Sequence, residues 1–547
     1  MSQVEVLIRT LTRAFALCGI LFAEAATSQV APQPQRVAIG DSYRIAGTLT
    51  NASTGETINR AVVEVLSEED QHTMASCVTD SEGRFALDRL AAAKYQLRAS
   101  KRGFHVGFYD EHEGFFSAIV TGPDQDTTHL EFKLEANAIL SGVVTDDAGE
   151  PVSGARVMLF KRPTFQGAGD RISPAGTAST DDTGTYEFGN LSAGEYLMAV
   201  LAEPWYAVHE GSPARRNPAL DVAYPVTYFD STTEEQSAKP IVVAAGSHEQ
   251  ANISLHAVPA LRLSAPLVRA TDYTTVAPQL QQNVFGTGFP YASVGVNIPP
   301  GNTAIEMSGI APGSYTLTQG NPQRVVDLDL TSSVQVDPNA GAPANPVEGR
   351  IRLLSGAPAP ADMVVTLMRI DNGPGQPAYA AEARQGSFRF EGVPPGDWAF
   401  AVTSGGRTLP VMTVSAGSRK REGSVFTLRD RGPQLTVTLS DASTDVKGFA
   451  NKNDRGFTGA MIVLLPKNPA QWRALAWRDQ SDSDGSFALH DVAPGQYTLV
   501  AIENGWDLDW TSPAAMARYL LSGMSVTVTE QSGALMRLST PVVVQGR

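Results

Sequence analysis

The residues best equipped for chemistry are few and scattered. Eight histidines are present, His72, His105, His112, His129, His209, His248, His256 and His490, and none forms the His-Glu-x-x-His pair that holds zinc on one helix face. His105 and His112 lie beside Asp110, Glu111 and Glu113. A seven-residue interval in a polar loop does not fix two ligands on one surface, so this segment reads as a solvated connection. Asp482-Ser483-Asp484-Gly485 begins like a calcium loop. An EF-hand, however, needs later oxygen ligands and flanking helices, whereas strand-like segments flank this run, which therefore reads as a turn. Cys77 sits in the strand-like run Ala75-Ser76-Cys77-Val78-Thr79 and has the surroundings of a small buried hydrophobe. There is no Gly-x-Ser-x-Gly elbow, phosphate loop or dinucleotide fingerprint. The expectation is no catalytic residue, no metal and no cofactor.

Aromatic side chains offer a different chemistry. Trp205, Tyr206, Tyr224, Tyr228 and Phe229 fall in one stretch, and Trp472, Trp477, Trp506 and Trp510 in another. An aromatic face packs against the C–H surface of a sugar, and neighbouring carboxylates such as Asp507 and Asp509 accept hydroxyl hydrogen bonds. The candidate carbohydrate-binding residues are therefore Trp205, Tyr206, Trp506, Asp507, Asp509 and Trp510. Aromatics also fill sandwich cores and domain interfaces, and linear spacing alone shows no flat exposed platform.

The elements that must carry these residues are written in an internal repeat. Gly184, Tyr186, Leu191, Gly194 and Tyr196 share their spacing with Gly386, Phe388, Val393, Gly396 and Trp398, and with Gly485, Phe487, Val492, Gly495 and Tyr497. Gly83, Phe85, Leu90, Ala93 and Tyr95 form a fourth copy, and Thr303, Ile305, Ile310, Gly313 and Tyr315 a decayed fifth. In the four clear copies an opening strand with a central glycine lies 36 to 42 residues upstream: Gly47, Gly142, Gly349 and Gly448. Period-two alternation bounded by Asp, Gly, Pro and Ser turns marks short antiparallel strands. Tyr186 and Phe188 then share one face. Pro312-Gly313, Pro395-Gly396 and Pro494-Gly495 suit type II turns. About seven strands per 95 to 100 residues indicate an all-β chain, a tandem array of prealbumin-like or immunoglobulin-like antiparallel β-sandwich domains.

The expected organisation is a signal peptide over 1–25 and a flexible leader over 26–40, followed by sandwiches over 41–136, 137–258, 259–342 (divergent), 343–439 and 440–547. Arg9 and Arg13, the apolar run from Ala14 to Ala23, and Ala23-Glu24-Ala25 carry the signal reading. Ten apolar residues are too few to span a bilayer. Asp337 to Pro346 reads as a linker. With 57 acidic against 42 basic residues, the formal charge of −15 repels phosphate backbones and excludes nucleic acid as a natural partner. Once the signal is removed, a single cysteine leaves no internal disulfide, so sheets and cores must hold the domains.

The run Leu140 to Val157 followed by Thr180 to Tyr196 resembles a carboxypeptidase regulatory-like domain, a group similar to transthyretin-like, Cna-B-like and starch-binding-like sandwiches. That resemblance implies noncatalytic modules, and the zinc peptidase domain behind the name has no counterpart here. Some Cna-B-like domains carry a Lys-to-Asn isopeptide staple; Lys133 and Lys447 do not recur in a matching place. The expected function is a structural or interaction protein, secreted, periplasmic or surface-associated. Its successive sandwiches would be spaced as a rod, and its partner would be an envelope or extracellular protein or polysaccharide. A carbohydrate-binding array is the alternative, and an enzyme with a site hidden from sequence a third reading.

Overall fold

The computed structural model describes residues 42–547 apart from 69, 163–171, 210–216, 267, 270–274, 277, 292–294, 298–303, 320–323, 338, 344, 370–378, 430–433 and 530–533. The expected signal peptide, leader and Thr303 lie outside the described residues. Strands dominate and arrange as tandem β-sandwiches. In each, the opening strand pairs antiparallel with the strand of the repeat motif and parallel with a closing strand. Tyr43–Asn51 thus lies between Arg84–Leu90 and Leu130–Leu134, and Asn345–Leu353 between Ser387–Val393 and Gln434–Leu439. In the fourth sandwich Val425–Leu428 pairs with Gly396–Ser404 in the opposite sheet.

The spacing of the repeat has a physical reason in every copy. Six residues after the motif's first position the backbone turns left-handed, at Arg89 (φ 66°), Asn190 (56°), Gly309 (82°), Gly392 (67°) and Asp491 (56°). A register shift accompanies it in each pairing with the opening strand. This is a β-bulge, which bends the strand into the turn that follows. Gly194, Gly313 and Gly396 stand at φ 155°, 155° and 149°, far from the roughly +80° of a type II turn. The expected turn type is therefore wrong, and the left-handed residue comes earlier, inside the bulge.

The second aromatic of the motif closes this corner. Its polar atom donates to the carbonyl four residues upstream: Tyr95 to Ala91 (3.2 Å), Tyr196 to Ser192 (2.8 Å), Tyr315 to Ala311 (2.8 Å), Trp398 to Pro394 (3.2 Å) and Tyr497 to Ala493 (2.7 Å). A buried aromatic with its polar end satisfied adds core without an orphaned donor. The opening-strand glycines answer to close approach: a β-carbon on Gly142 would stand 2.1 Å from the Ala251 carbonyl oxygen.

Each sandwich has its own core, such as Ile45, Val63, Phe85 and Phe132 in the first and Val365, Phe388, Trp398 and Val437 in the fourth. Two sheets are covered on their outer faces as well. Met158, Phe160, Leu197 and Tyr228 of the second sandwich pack on Val284 and Phe285 of the third. In the fifth, the fully buried strand Met461–Pro466 meets Trp472, Trp506, Met516 and Tyr519, the last two on the helix Pro513–Leu521. The segment expected as a free linker is partly structural: Ala342–Pro343 adds to the sheet of the third sandwich, and Arg324 Nη1 donates to Gly341 O at 2.8 Å.

Candidate functional site

The chemically richest place among the described residues is a joint between the first sandwich and the fifth. It grows from the repeat's own turn. In the first two units the turn aspartate caps its own loop: Asp80 Oδ1 accepts from the amides of Glu82 (3.0 Å) and Arg84 (2.8 Å), and Asp181 Oδ1 from those of Thr183 and Thr185 (both 2.9 Å). In the fifth unit Asp484 takes over that duty and accepts from Ser486 N at 2.9 Å. The carboxylate of Asp482 is thereby free to reach the first sandwich, where Oδ2 meets Lys94 Nζ at 2.5 Å and Oδ1 accepts from Ala118 N at 2.9 Å.

Backbone bonds run beside this pair. Ser483 N donates to Ala118 O (2.9 Å), Val120 N to Ser483 Oγ (2.8 Å), and Ser117 Oγ to Ser481 O (2.9 Å). Next to them the buried Gln480 amide donates to Asp110 Oδ2 (3.0 Å) and Ser117 Oγ (2.9 Å). Its Oε1 and the Asp110 carbonyl both lie 3.1 Å from His112 Nδ1. Both partners are carbonyl acceptors, so Nδ1 is the nitrogen that carries the proton. At the outer edge Arg478 pairs with Glu113 at 2.6 Å, and its guanidinium lies 5.0 Å from the Phe115 ring and 4.9 Å from Trp510. Trp506 stacks on His112 (5.4 Å, 8° between planes) and on Phe115 (5.5 Å, 27°).

The electrostatics follow from burial. Desolvation pushes the Asp482 carboxyl above its ordinary range, against the pull of Lys94. Burial also works against the Lys94 ammonium, but the charge of Asp482 and its hydrogen bond outweigh that and hold the group above its usual value. Asp110 is raised by burial, with His112 and Ser117 opposing. Asp479, which accepts from the amides of Gln480 (2.8 Å) and Ala488 (2.7 Å), is pushed by burial to about 7.

The six candidate carbohydrate-binding residues separate into two places. Trp506 is only 6% exposed and, with Trp510, belongs to the joint. Asp509 caps Thr511, whose amide lies 3.1 Å and hydroxyl 2.7 Å from Oδ1, while Asp507 pairs with Arg547 at 2.7 Å. Trp205 and Tyr206 lie on a connection of the second sandwich, with Trp205 85% exposed. Tyr224 and Tyr228 are buried, and Trp472 donates from Nε1 to Pro466 O at 2.8 Å inside the fifth sandwich. Sequence reasoning missed Lys94, Ser117, Gln480 and Asp482 as a group. The one available signal was the second acid of Asp482-Ser483-Asp484, which duplicates the capping side chain.

The spaced rod expected from the sequence omits this direct contact between first and last sandwiches. Two other joints also carry ion pairs, the first of them beside the apolar contact already described. Between the second and third, His209 Nδ1 lies 3.0 Å from Asp221, and Asp221 lies 2.7 Å from Arg262. Burial works against the Asp221 carboxylate, but the hydrogen bonds from His209 and Arg262 prevail and hold it below its ordinary range. Between the fourth and fifth, Arg407 pairs with Asp491. Among the described residues, no group of three His, Cys, Asp or Glu side chains is arranged to hold a metal ion, and no helix is long and apolar enough to cross a membrane.

Fold and repeat together define a tandem array of β-sandwich modules. Within that array, residues 44–135 and 139–256 each match the family model of the carboxypeptidase regulatory-like domain, one match in each of the first two sandwiches. Comparison with curated proteins finds no match. Among solved structures, the chain is similar to the Bacillus anthracis TIE protein at 10% identity, covering 93% of this chain and 76% of that one with a TM-score of 0.17. It is similar to two B repeat units of the Staphylococcus aureus collagen binding protein at 10% identity, 85% and 94% coverage and a TM-score of 0.13. The major pilin subunit BcpA of Bacillus cereus gives 13% identity, 75% and 99% coverage and a TM-score of 0.14. Scores of this size carry no argument about what this chain binds.

Proposed function

We propose that this protein is a noncatalytic, extracytoplasmic interaction scaffold whose repeated sandwiches hold loops in fixed relation for a partner in the envelope or outside the cell. The observation that carries this reading is where the polar chemistry goes. Across the joint between first and last sandwiches, Lys94 meets Asp482, Gln480 meets His112 and Asp110, and Arg478 meets Glu113, so the groups best suited to a reactive site are spent on one another. Their geometry positions domains. A scaffold needs such joints, because loops present a composite surface only when the modules beneath them are fixed. The apolar run from Ala14 to Ala23, flanked by Arg9 and Arg13, supports export.

Two measurements test the reading. A fusion of the full chain to a reporter active only outside the cytoplasm is expected to be active. Photo-cross-linking from the exposed loops in intact cells is expected to trap the same envelope protein repeatedly and to lose it when Lys94→Glu opens the joint. A fusion that is made but stays inactive, or turnover of an envelope polymer by the pure chain, would overturn it.

A further inference from the structure

The connection after the strand Gly194–Leu201 displays an apolar group where a soluble surface ordinarily hides one. Ala207 N donates to Pro204 O at 2.9 Å, closing a turn whose two central residues are Trp205 and Tyr206. Pro204 is buried, and Val208 N donates to Leu220 O at 2.7 Å, so both ends of the turn are anchored. Trp205 is nevertheless 85% exposed, and Val208, three residues further along the chain, 51%. A single exposed hydrophobe is ordinary. A tryptophan held outward on an anchored turn, next to a second aromatic, is a preorganised feature.

The two rings meet at 5.8 Å with 85° between their planes. They make a corner, whereas the flat face of a sugar calls for a ring lying open as a platform. A perpendicular pair with an exposed indole suits a cationic side-chain head, which an aromatic face attracts. The surroundings are acidic. Asp147 and Glu203 are exposed, and Asp146, which caps its own turn through Ala148 N (2.9 Å) and Glu150 N (2.8 Å), stands with Asp147 close enough to Tyr206 for their charges to raise its phenol, after burial itself. Tyr224, near the same acids, is pushed up to about 12, chiefly by burial. The net charge of −15 draws cations toward the whole chain.

We propose that the Trp205–Tyr206 corner is a docking site for a lysine or arginine side chain of a partner protein, its methylene stem lying on Val208 and its charged head between the rings and Asp147. This rests on the interaction reading above and gives that reading a place and a chemistry. Long cationic side chains combine an apolar stem with a charged tip, and the site offers a surface for each.

The test uses the full chain and a fluorescent penta-arginine peptide, titrated near physiological ionic strength. Trp205→Ala with Tyr206→Ala leaves the net charge unchanged and is expected to weaken binding about tenfold; Asp147→Asn is expected to weaken it severalfold, and Trp205→Phe to retain most of it. Circular dichroism confirms that the variants fold. Equal binding by the double variant would overturn the proposal by showing that net charge alone attracts the peptide. A neutral linear β-glucan oligosaccharide that binds in the peptide's stead, and is lost with Trp205→Ala, would overturn it in favour of a glycan site. Should the peptide result fail while cross-linking to an envelope protein persists, the corner is wrong and the scaffold reading stands.

Discussion

Lys94 and Asp482, 388 positions apart in sequence, form an ion pair at 2.5 Å that joins the first sandwich to the fifth. The lysine side chain is 31% exposed and the aspartate 11%, so the pair works in a partly dry setting where removing one partner costs more than the pair itself contributes.

Lys94→Ala is therefore expected to destabilise the chain by roughly 3 kcal/mol, because Asp482 keeps its burial and loses its countercharge. Asp482→Ala should cost less in the Lys94→Ala background than in the wild type, with a coupling above about 1 kcal/mol in a denaturation double-mutant cycle. Additive costs would show that the two residues do not act together.

The pH dependence has a definite sign. Asp479 titrates at about 7 in the folded chain against an ordinary 3.8. The native state thus holds a proton that the unfolded chain has already released, and its stabilising contribution is full below pH 3.8 and declines as pH rises to about 7. Denaturation midpoints measured across this window should fall, and Asp479→Asn should flatten that fall. A stability that rises between pH 4 and 7 in the wild type and is unchanged by the substitution would contradict the assignment.

The recurring aromatic corner predicts a repeated effect. Tyr196→Phe and Tyr497→Phe each remove the corner hydrogen bond, to Ser192 O and Ala493 O, and the first also removes a longer contact with Ser192 Oγ, while leaving the ring in place. Each should cost about 1 kcal/mol, read as a lowered melting temperature. If neither substitution moves the melt, the corner bond is dispensable and the spacing of the repeat has another cause.

Trp506→Ala should open a void against His112 and Phe115 and cost about 3 kcal/mol or more. Phe115→Ala should then add little in that background, because the same contact is already lost. Full additivity would place Trp506 outside the joint.

Much of the fold was legible because it is local. The spacing from Gly184 to Tyr196 encodes a turn, a bulge and a hydrogen-bonded corner, each made within thirteen residues. The polar joint was not legible, because its residues obey local rules too. Asp482 occupies the same turn position as Asp80 and Asp181, and only Asp484's capping of the loop releases it. Trp506 and Trp510 looked like a binding cluster because sequence gives composition without direction; Phe115 and His112, hundreds of positions away, decide that Trp506 is covered. Among the described residues no ring from another sandwich stacks on Trp205, and its turn leaves it outward.

The most direct test of the joint is amide hydrogen exchange on the full chain, wild type against Lys94→Ala. The amides of Ala118, Val120 and Ser483 donate across the two sandwiches to Asp482, Ser483 and Ala118. Protection at all three in the wild type, lost together in the variant while the core strands Val62–Ser67 and Met461–Pro466 stay protected, is the predicted result. Rapid exchange at these amides in the wild type would contradict the account, because the first and last sandwiches would then not be held together.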